Sequence, residues 1–225
     1  MTFLRCIALA IFFSSSLIAA QTDAPILQHL SPLKAPSKSC HRYVITGGPG
    51  VGKTSIIRYL KEKGYHVVGE AATDVIRRSL EKGISMPWDK EFKSDFNDEI
   101  LELQYKRQNK TPDRGLVFFD RSMIDTFTYA LIPMGGTKSL EAMARRVQSV
   151  LDQQFYNQTV FFIDNLNGCE KNEIRHENLD QLHMIERHLE QSYRALGYNV
   201  VHITRDTIEN RALQILLHIN QGKEE

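Results

Sequence analysis

The sequence predicts an α/β protein built on a doubly wound, five-stranded parallel sheet. Short apolar runs rich in β-branched and aromatic residues recur along the chain, and stretches with apolar residues three or four positions apart separate them. The runs show no polar alternation, which is expected of strands that are buried on both faces. Because strands and helices alternate, we expect parallel strands with about seven helices packed around them.

Each apolar run is assigned to a strand and each amphipathic stretch to a helix. The candidate strands are residues 43–45, 65–68, 115–119, 159–163 and 198–203. Helical spacing occurs in three stretches, which contain Phe92, Phe96, Ile100 and Leu103, then Leu182, Ile185, Leu189, Tyr193 and Leu196, and finally Ile208, Ala212, Ile215 and Ile219. The last helix is therefore expected to follow the fifth strand and to pack one face on the sheet.

The composition is that of one ordinary globular domain. Of 225 residues, 42% are hydrophobic and 24% are charged, and the net charge of +1 gives no electrostatic indication of a nucleic-acid partner. Only three cysteines occur, Cys6, Cys40 and Cys169, too few for a disulfide-rich scaffold. Because Cys40 precedes the first strand and Cys169 follows the fourth, at opposite ends of the sheet, both are predicted to be free thiols.

The N-terminal residues are typical of an export signal followed by a linker. Arg5, the apolar run 6–13 and small residues before Gln21 predict a signal peptide over residues 1–20. The alternative is a misassigned start or a buried helix, which would leave the protein cytoplasmic. Residues 21–40 contain Pro25, Pro32 and Pro36 without periodic apolar spacing. They are predicted to be a linker, with the folded domain at residues 41–220.

A phosphate-binding loop (P-loop) follows the first predicted strand and opens the next helix. The motif G-x-x-x-x-G-K-[ST] is matched in full by Gly47, Gly48, Pro49, Gly50, Val51, Gly52, Lys53 and Thr54. Its backbone N–H groups and the helix N-terminus attract phosphate. Lys53 is predicted to bridge the β- and γ-phosphates, and the Thr54 hydroxyl is predicted to hold Mg²⁺. The alternative is a glycine-rich turn without a ligand.

A carboxylate for the metal is predicted at the end of the third strand. Asp120 ends the apolar run 117–119, and side chains at strand carboxyl ends converge on the ligand crevice. A helix N-cap is the alternative role for Asp120. Arg121 follows and is predicted to contact transferring phosphate oxygens, with a surface ion pair as its alternative.

Two further charged residues are candidates for the reaction. Glu70 ends the second strand, where it is predicted to accept a proton from a substrate hydroxyl or to position that hydroxyl. Capping the next helix is its alternative role. Arg175 lies in the polar stretch 164–178, which is predicted to be a lid that brings a cation to the moving phosphate. A solvated loop arginine is the alternative.

These motifs follow one another in a particular order. After the P-loop and Glu70 come Phe96 and Gln104 on the third helix, then Asp120, Arg121, Asp125 and Tyr129, then residues 161–164, Arg175 and residues 197–201. Together they resemble the ATPase/kinase-like AAA P-loop domain family. That family includes the kinase domain of the bifunctional NAD regulator and the TRP-like channel translocation-defect protein.

The resemblance implies a P-loop NTPase with a nucleoside/nucleotide-kinase-like fold that binds ATP or GTP with Mg²⁺. It implies that Gln104 faces the acceptor or its base, and that Arg121 and Arg175 face the phosphates. Glu70, Gln104 and Asp125 are accordingly the predicted substrate-binding residues.

One departure from the family pattern bears on the acceptor. Many members are expected to have an arginine soon after the strand-two glutamate, whereas Ala71 and Ala72 follow Glu70 here. Nicotinamide riboside is therefore not carried over as the substrate.

Two functions are consistent with this reading. The first is transfer of the γ-phosphoryl group of ATP or GTP to a hydroxyl of a small nucleoside-like acceptor. The alternative is a nucleotide-dependent switch with NTPase activity that acts on a protein or phosphoinositide partner. In that case Arg77, Arg78, Arg145 and Arg146 would contact the anionic lipid.

Overall fold

A computed structural model describes residues 24–33, 40–84, 93–132, 137–165 and 176–221, without the side chains of residues 93–95 and 176–179. The predictions for the export signal at 1–20, for Cys6, for Cys169 and for the lid residue Arg175 lie outside these residues. Cys40 is a free thiol, as predicted, and its Sγ donates to the carbonyl of Phe155 at 3.0 Å. None of the helices in the described ranges is long and apolar enough to cross a membrane.

Five parallel strands form one sheet in the order β2-β3-β1-β4-β5. The strands are β1 (Arg42–Thr46), β2 (His66–Val68), β3 (Val117–Asp120), β4 (Thr159–Ile163) and β5 (Asn199–Ile203). The chain leaves central β1 for the edge strand β2, returns to β3, and then crosses to β4 on the other side. This reversal confirms the doubly wound prediction, and the crevice it creates opens at the carboxyl ends of β1, β3 and β4.

Both faces of the sheet are buried, which explains the unbroken apolar runs in the sequence. Side chains alternate along a strand, so Val44 and Phe119 belong to one core cluster while Ile45 and Phe118 belong to the other. All four are less than 5% exposed. The central strands therefore carry mostly apolar side chains and show no polar alternation, whereas the edge strands β2 and β5 expose His66, Asn199 and His202.

Seven α-helices are found in the described ranges, in agreement with the predicted number. They are α1 (Lys53–Glu62), α2 (Ala71–Glu81), α3 (Lys93–Gln108), α4 (Met123–Leu131), α5 (Leu140–Asp152), α6 (His176–Ala195) and α7 (Ile208–Gln221). Helices α1 and α7 contribute to the core cluster on one face, and α4, α5 and α6 to the cluster on the other. Helices α2 and α3 form a smaller cluster of their own.

The predicted linker is partly folded onto the domain. Pro25–Gln28 form a 3₁₀ helix, and Ile26 and Leu30 are 0% and 3% exposed in the same core cluster as α4 and α6. The backbone N–H of Leu33 donates to the carbonyl of Leu196 at 2.9 Å. The linker prediction is therefore wrong for residues 24–33. A segment this short has too few apolar residues to show a period, so its burial is decided by the surface it contacts.

Candidate functional site

The P-loop connects β1 to α1 and packs against the carboxyl end of β4. Gly47 has a φ of +133°, and a Cβ at this position would lie 2.7 Å from the carbonyl oxygen of Ile163. A side chain at Gly48 would collide with the Glu186 carboxylate of α6. Position 47 therefore requires glycine, because its backbone is left-handed and closely approached by backbone, whereas a side chain at Gly48 would force the Glu186 side chain to move.

Lys53 is buried inside this loop. The residue is 6% exposed, and its Nζ donates to the carbonyl of Gly48 at 2.6 Å. Burial, and next the positive charge of Arg121, lower the pKa of Lys53 to about 7, although Asp120 and Glu70 act in the opposite direction. A phosphate group at the loop would supply the negative charge that favours the ammonium form.

Thr54 and Asp120 meet at the junction of α1 with β3. The hydroxyl of Thr54 donates to Oδ2 of Asp120 at 3.1 Å, while Oδ1 of Asp120 is buried and has no hydrogen-bond partner among the described residues. Burial, and next the charge of Glu70, raise the pKa of Asp120 to about 6. A hydroxyl beside a partly unpaired carboxylate is the donor set that Mg²⁺ prefers, so these residues fit the predicted ion.

Asp120 does not cap the following helix. The N-cap of α4 is Ser122, whose hydroxyl accepts from the N–H of Ile124 at 3.0 Å. The carboxylate of Asp125 accepts from the N–H of Ser122 at 2.9 Å, which completes a capping box. Ser122 thus has the capping role that was the alternative for Asp120, and the Asp120 side chain lies at the P-loop.

Arg121 is a buried connector rather than a surface residue. Its side chain is 8% exposed, and its backbone is left-handed with a φ of +68°. Nε donates to Glu70 at 2.8 Å, a second guanidinium nitrogen donates to Asp125 at 3.3 Å, and the guanidinium carbon lies 5.3 Å from the Tyr129 ring centre. The surface ion-pair alternative is therefore wrong, and the guanidinium is bonded to two carboxylates of the protein.

Glu70 lies at the N-terminus of α2 beside this arginine. It occupies the N-cap position, yet its side chain makes no capping bond to the helix backbone. One carboxylate oxygen accepts from Arg121, and the other accepts from the Thr73 hydroxyl at 3.0 Å. The side chain remains 25% exposed, so the carboxylate borders the crevice.

Asp125 is not a substrate-facing residue, which corrects the prediction. It is fully buried, and its two carboxylate oxygens accept from the hydroxyl of Thr46, the guanidinium of Arg121, the N–H and hydroxyl of Ser122 and the hydroxyl of Tyr193. Protein donors therefore surround the carboxylate completely. Its position lets it hold Arg121 and the start of α4 in place.

Gln104 is likewise bonded to the protein. Its amide nitrogen donates to the carbonyl of Ser122 at 2.9 Å, and its amide oxygen accepts from the hydroxyl of Thr126 at 2.8 Å. The predicted contact with an acceptor would require these two bonds to be given up. In the structure Gln104 joins α3 to the first turn of α4.

Two charged residues at the P-loop were not predicted. Arg211 of α7 donates to the carbonyls of Val51 and Asp164 at 2.9 and 2.8 Å, and Glu186 of α6 contacts Gly48. The sequence carries one signal for Arg211, because it lies four residues before Ile215 on the buried face of an amphipathic helix. Glu186 carries no comparable signal, because its contact depends on how α6 packs.

The fold and this geometry define a P-loop protein with a kinase-like α/β architecture. The chain belongs to the AAA domain family AAA_28, whose model matches residues 42–211. A comparison with the sequences of curated proteins finds no significant match.

Solved structures support the same fold. NadR protein in complex with NR is similar with a TM-score of 0.56 and 18% identity over 80% of this chain and 51% of that chain. Thymidylate kinase from Ehrlichia chaffeensis has a TM-score of 0.53 and 13% identity over 80% of this chain and 98% of that chain. Shikimate kinase from Acinetobacter baumannii in complex with shikimate has a TM-score of 0.52 and 17% identity over 84% of this chain and 97% of that chain. The chain thus spans about half the length of the NadR chains and nearly all of the two kinases.

Proposed function

We propose that the protein binds ATP or GTP with Mg²⁺ and transfers the γ-phosphoryl group to a hydroxyl of a small nucleoside-like acceptor. The observation that carries the proposal is the meeting of Lys53, Thr54 and Asp120 at one end of the sheet, where one Asp120 oxygen has no partner in the described part of the chain. A buried carboxylate oxygen without a partner is costly, and a cation held beside the P-loop would remove that cost. The proposal goes beyond the kinase-like fold to the reaction itself.

Each residue has a role that follows from its contacts. The Lys53 ammonium would leave the Gly48 carbonyl for the β- and γ-phosphates, where a full negative charge replaces a dipole. Thr54 and Asp120 would hold Mg²⁺, which when bound neutralises charge on the phosphates. Most of the rate enhancement in such a site comes from positioning and charge neutralisation.

Glu70 is the proposed partner of the acceptor hydroxyl. It is exposed on one side and is held on the other by Arg121 and Thr73. A carboxylate fixed in this way can accept a hydrogen bond from the hydroxyl and orient it for in-line attack. Arg121 would act mainly by holding Glu70, since both Glu70 and Asp125 already bind its guanidinium.

Replacing Lys53 with alanine tests nucleotide binding. We expect Lys53→Ala to weaken Mg·ATP binding about 10- to 100-fold, because a charge-assisted contact to phosphate is lost. Urea unfolding should change little, since burial already disfavours the ammonium form. Isothermal titration calorimetry measures the affinity, and Lys61→Ala, an exposed lysine on the same helix, is the matched control. Equal affinity in wild type and Lys53→Ala would contradict the site assignment.

The transfer step needs its own measurement. Wild-type protein is incubated with γ-labelled ATP, Mg²⁺ and a panel of nucleosides and other small hydroxyl compounds, with Lys53→Ala as the blank. Label recovered on an acceptor supports the proposal. Tight ATP binding without transfer to any acceptor would reject the kinase reaction while keeping the nucleotide site.

The alternative switch function is less well supported by the surface. Arg77 pairs with Asp74, Arg145 pairs with Glu141, and Arg146 pairs with Glu102. Arg78 and Arg146 also line a groove of about 730 Å³ whose walls carry acidic as well as basic side chains. These cations are largely matched by nearby carboxylates, so the contact expected for an anionic lipid is weak.

A further inference from the structure

Arg211 is a charged residue in a position that an apolar residue would normally occupy. It is 1% exposed and is among the largest fully buried side chains described. It belongs to α7, where Ala212, Ile215 and Ile219 are buried with it. Burying a guanidinium costs several kcal/mol unless its donors are bonded, so the contacts that it makes need a reason.

The guanidinium joins three separate segments. One terminal nitrogen donates to the carbonyl of Val51 at 2.9 Å, and the other donates to the carbonyl of Asp164 at 2.8 Å. Val51 lies in the P-loop, and Asp164 directly follows β4. A planar fork can make both bonds at once, whereas the single ammonium of a lysine cannot reproduce that geometry. Arg211 therefore ties the P-loop to the carboxyl end of β4.

The bond to Val51 fixes the direction of a neighbouring N–H group. Val51 is 0% exposed, so its carbonyl needs a partner inside the protein. No cis peptide is present among the described residues, and a trans peptide points the Val51 carbonyl and the Gly52 N–H in opposite directions. Holding the carbonyl on the α7 side turns the Gly52 N–H to the other side, at the N-terminus of α1.

Gly52 makes this restraint important. It is the N-cap of α1 with a φ of +91°, and an added Cβ would lie 3.2 Å from a terminal nitrogen of Arg211. Glycine allows several orientations of the adjoining peptide at little cost. A flexible peptide at the phosphate site would lower affinity, because the N–H groups would have to be ordered when phosphate binds.

We propose that Arg211 is a positioning residue for phosphate binding, which keeps the Gly52 N–H directed at the β-phosphate and the P-loop docked on β4. The inference rests on the proposed nucleotide function. It adds a role for a residue that lies outside the P-loop motif and comes from the opposite end of the chain.

Two substitutions distinguish a positioning role of Arg211 from the effect of its charge and from a contribution to overall stability. Arg211→Lys keeps the positive charge and loses the fork, and Arg211→Ala leaves a space that a guanidinium ion can enter. We expect both to bind Mg·ADP at least about tenfold more weakly, because a buried carbonyl loses its donor and the loop loses its restraint. Arg145→Ala, which removes an exposed arginine, should bind Mg·ADP as the wild type does.

Chemical rescue of Mg·ADP affinity distinguishes a positioning role of Arg211 from a purely structural one. Guanidinium, added far below the concentrations that unfold proteins, should restore Mg·ADP affinity to folded Arg211→Ala, while methylammonium should not. Guanidinium should not restore the Mg·ADP affinity of Lys53→Ala. Mg·ADP affinities are measured by calorimetry, and urea unfolding without nucleotide gives the stability of each variant.

The outcomes are distinguishable. Wild-type affinity in folded Arg211→Lys, or lowered stability of Arg211→Ala with unchanged Mg·ADP affinity, would overturn the inference and leave the proposed function intact. If Arg211→Ala does not fold, Arg211→Lys decides by itself. Failure of the wild type to bind Mg·ADP would remove the proposed function, and the inference with it.

Discussion

At the scale of single residues, two aspartates near the crevice differ in whether their carboxylate oxygens are available to a ligand. One carboxylate oxygen of Asp120 has no partner among the residues that the structure describes, whereas both oxygens of Asp125 are bonded to protein donors. The two aspartates end and follow the same strand, yet burial and partners give them different roles. A carboxylate with spare lone pairs can bind a cation, and one without them can only position its neighbours.

Asp125→Asn tests that positioning role. We expect the free energy of unfolding in urea to fall by about 3–5 kcal/mol, because the buried Arg121 guanidinium loses a charged partner. Asp113→Asn is the matched control, since its pair with Arg42 is 95% exposed on the aspartate side and should contribute less than about 1 kcal/mol. Equal small losses in both variants would show that the Asp125 network does not support the fold.

At the scale of elements, the N-terminal segment 24–33 behaves as part of the domain. Ile26 and Leu30 pack into the cluster that covers one face of the sheet, close to α4 and α6. Cleavage before Gln21, as the sequence predicts, would keep this segment in the mature chain. Residues 24–33, which lie upstream of the predicted domain start at residue 41, are therefore part of the folded unit.

Ile26→Ala measures what this segment contributes. We expect a loss of about 2–5 kcal/mol in unfolding free energy, as for other buried isoleucine and leucine truncations. Gln28→Ala in the same 3₁₀ helix is exposed and should change stability by less than about 0.5 kcal/mol. If Ile26→Ala matched Gln28→Ala, the segment would not be part of the cooperative core.

At the scale of the whole molecule, a network of charged side chains connects three elements at one edge of the sheet. His202 of β5 bonds Asp164 after β4 at 2.7 Å and Glu190 of α6 at 3.1 Å, and Glu190 also pairs with Arg194. Burial acts to lower the pKa of His202, but its hydrogen bonds to the two carboxylates raise it overall. Only the doubly protonated ring donates to both carboxylates at once.

The network predicts a pH-dependent stability. Because the folded-state pKa of His202 is raised, its contribution is fully present below the ordinary histidine pKa and is lost as pH rises through the raised value. The stability advantage of wild type over His202→Gln should therefore shrink from pH 5.5 to pH 8, measured by urea unfolding. His66→Gln, at the exposed edge strand, is the control. A constant difference across this range would contradict the prediction.

A structural feature could be predicted from the sequence when its signal lies within a few neighbouring residues. The five strands and the P-loop were predictable because their signals are local, being unbroken apolar runs and a motif between a strand and a helix. The position of Asp120 beside Thr54 was predictable because a residue that ends a buried strand faces the crevice. Asp125 was misjudged because its partner Tyr193 comes from an element whose position no local pattern specifies. The bonds of Gln104 to Ser122 and Thr126 were not predictable for the same reason.

The sequence by itself determined the α/β class and the sheet with β1 leading into the P-loop, and it predicted Lys53, Thr54 and Asp120 as candidate site residues. Only the tertiary structure decided that Arg121 joins Glu70 to Asp125, that Arg211 bonds to the P-loop, and that Ile26 and Leu30 are buried in the core. The physical reason is the distance along the chain between the residues that interact. Periodicity and motifs report contacts within a few residues, whereas the energy of a buried charge depends on groups brought together from across the chain.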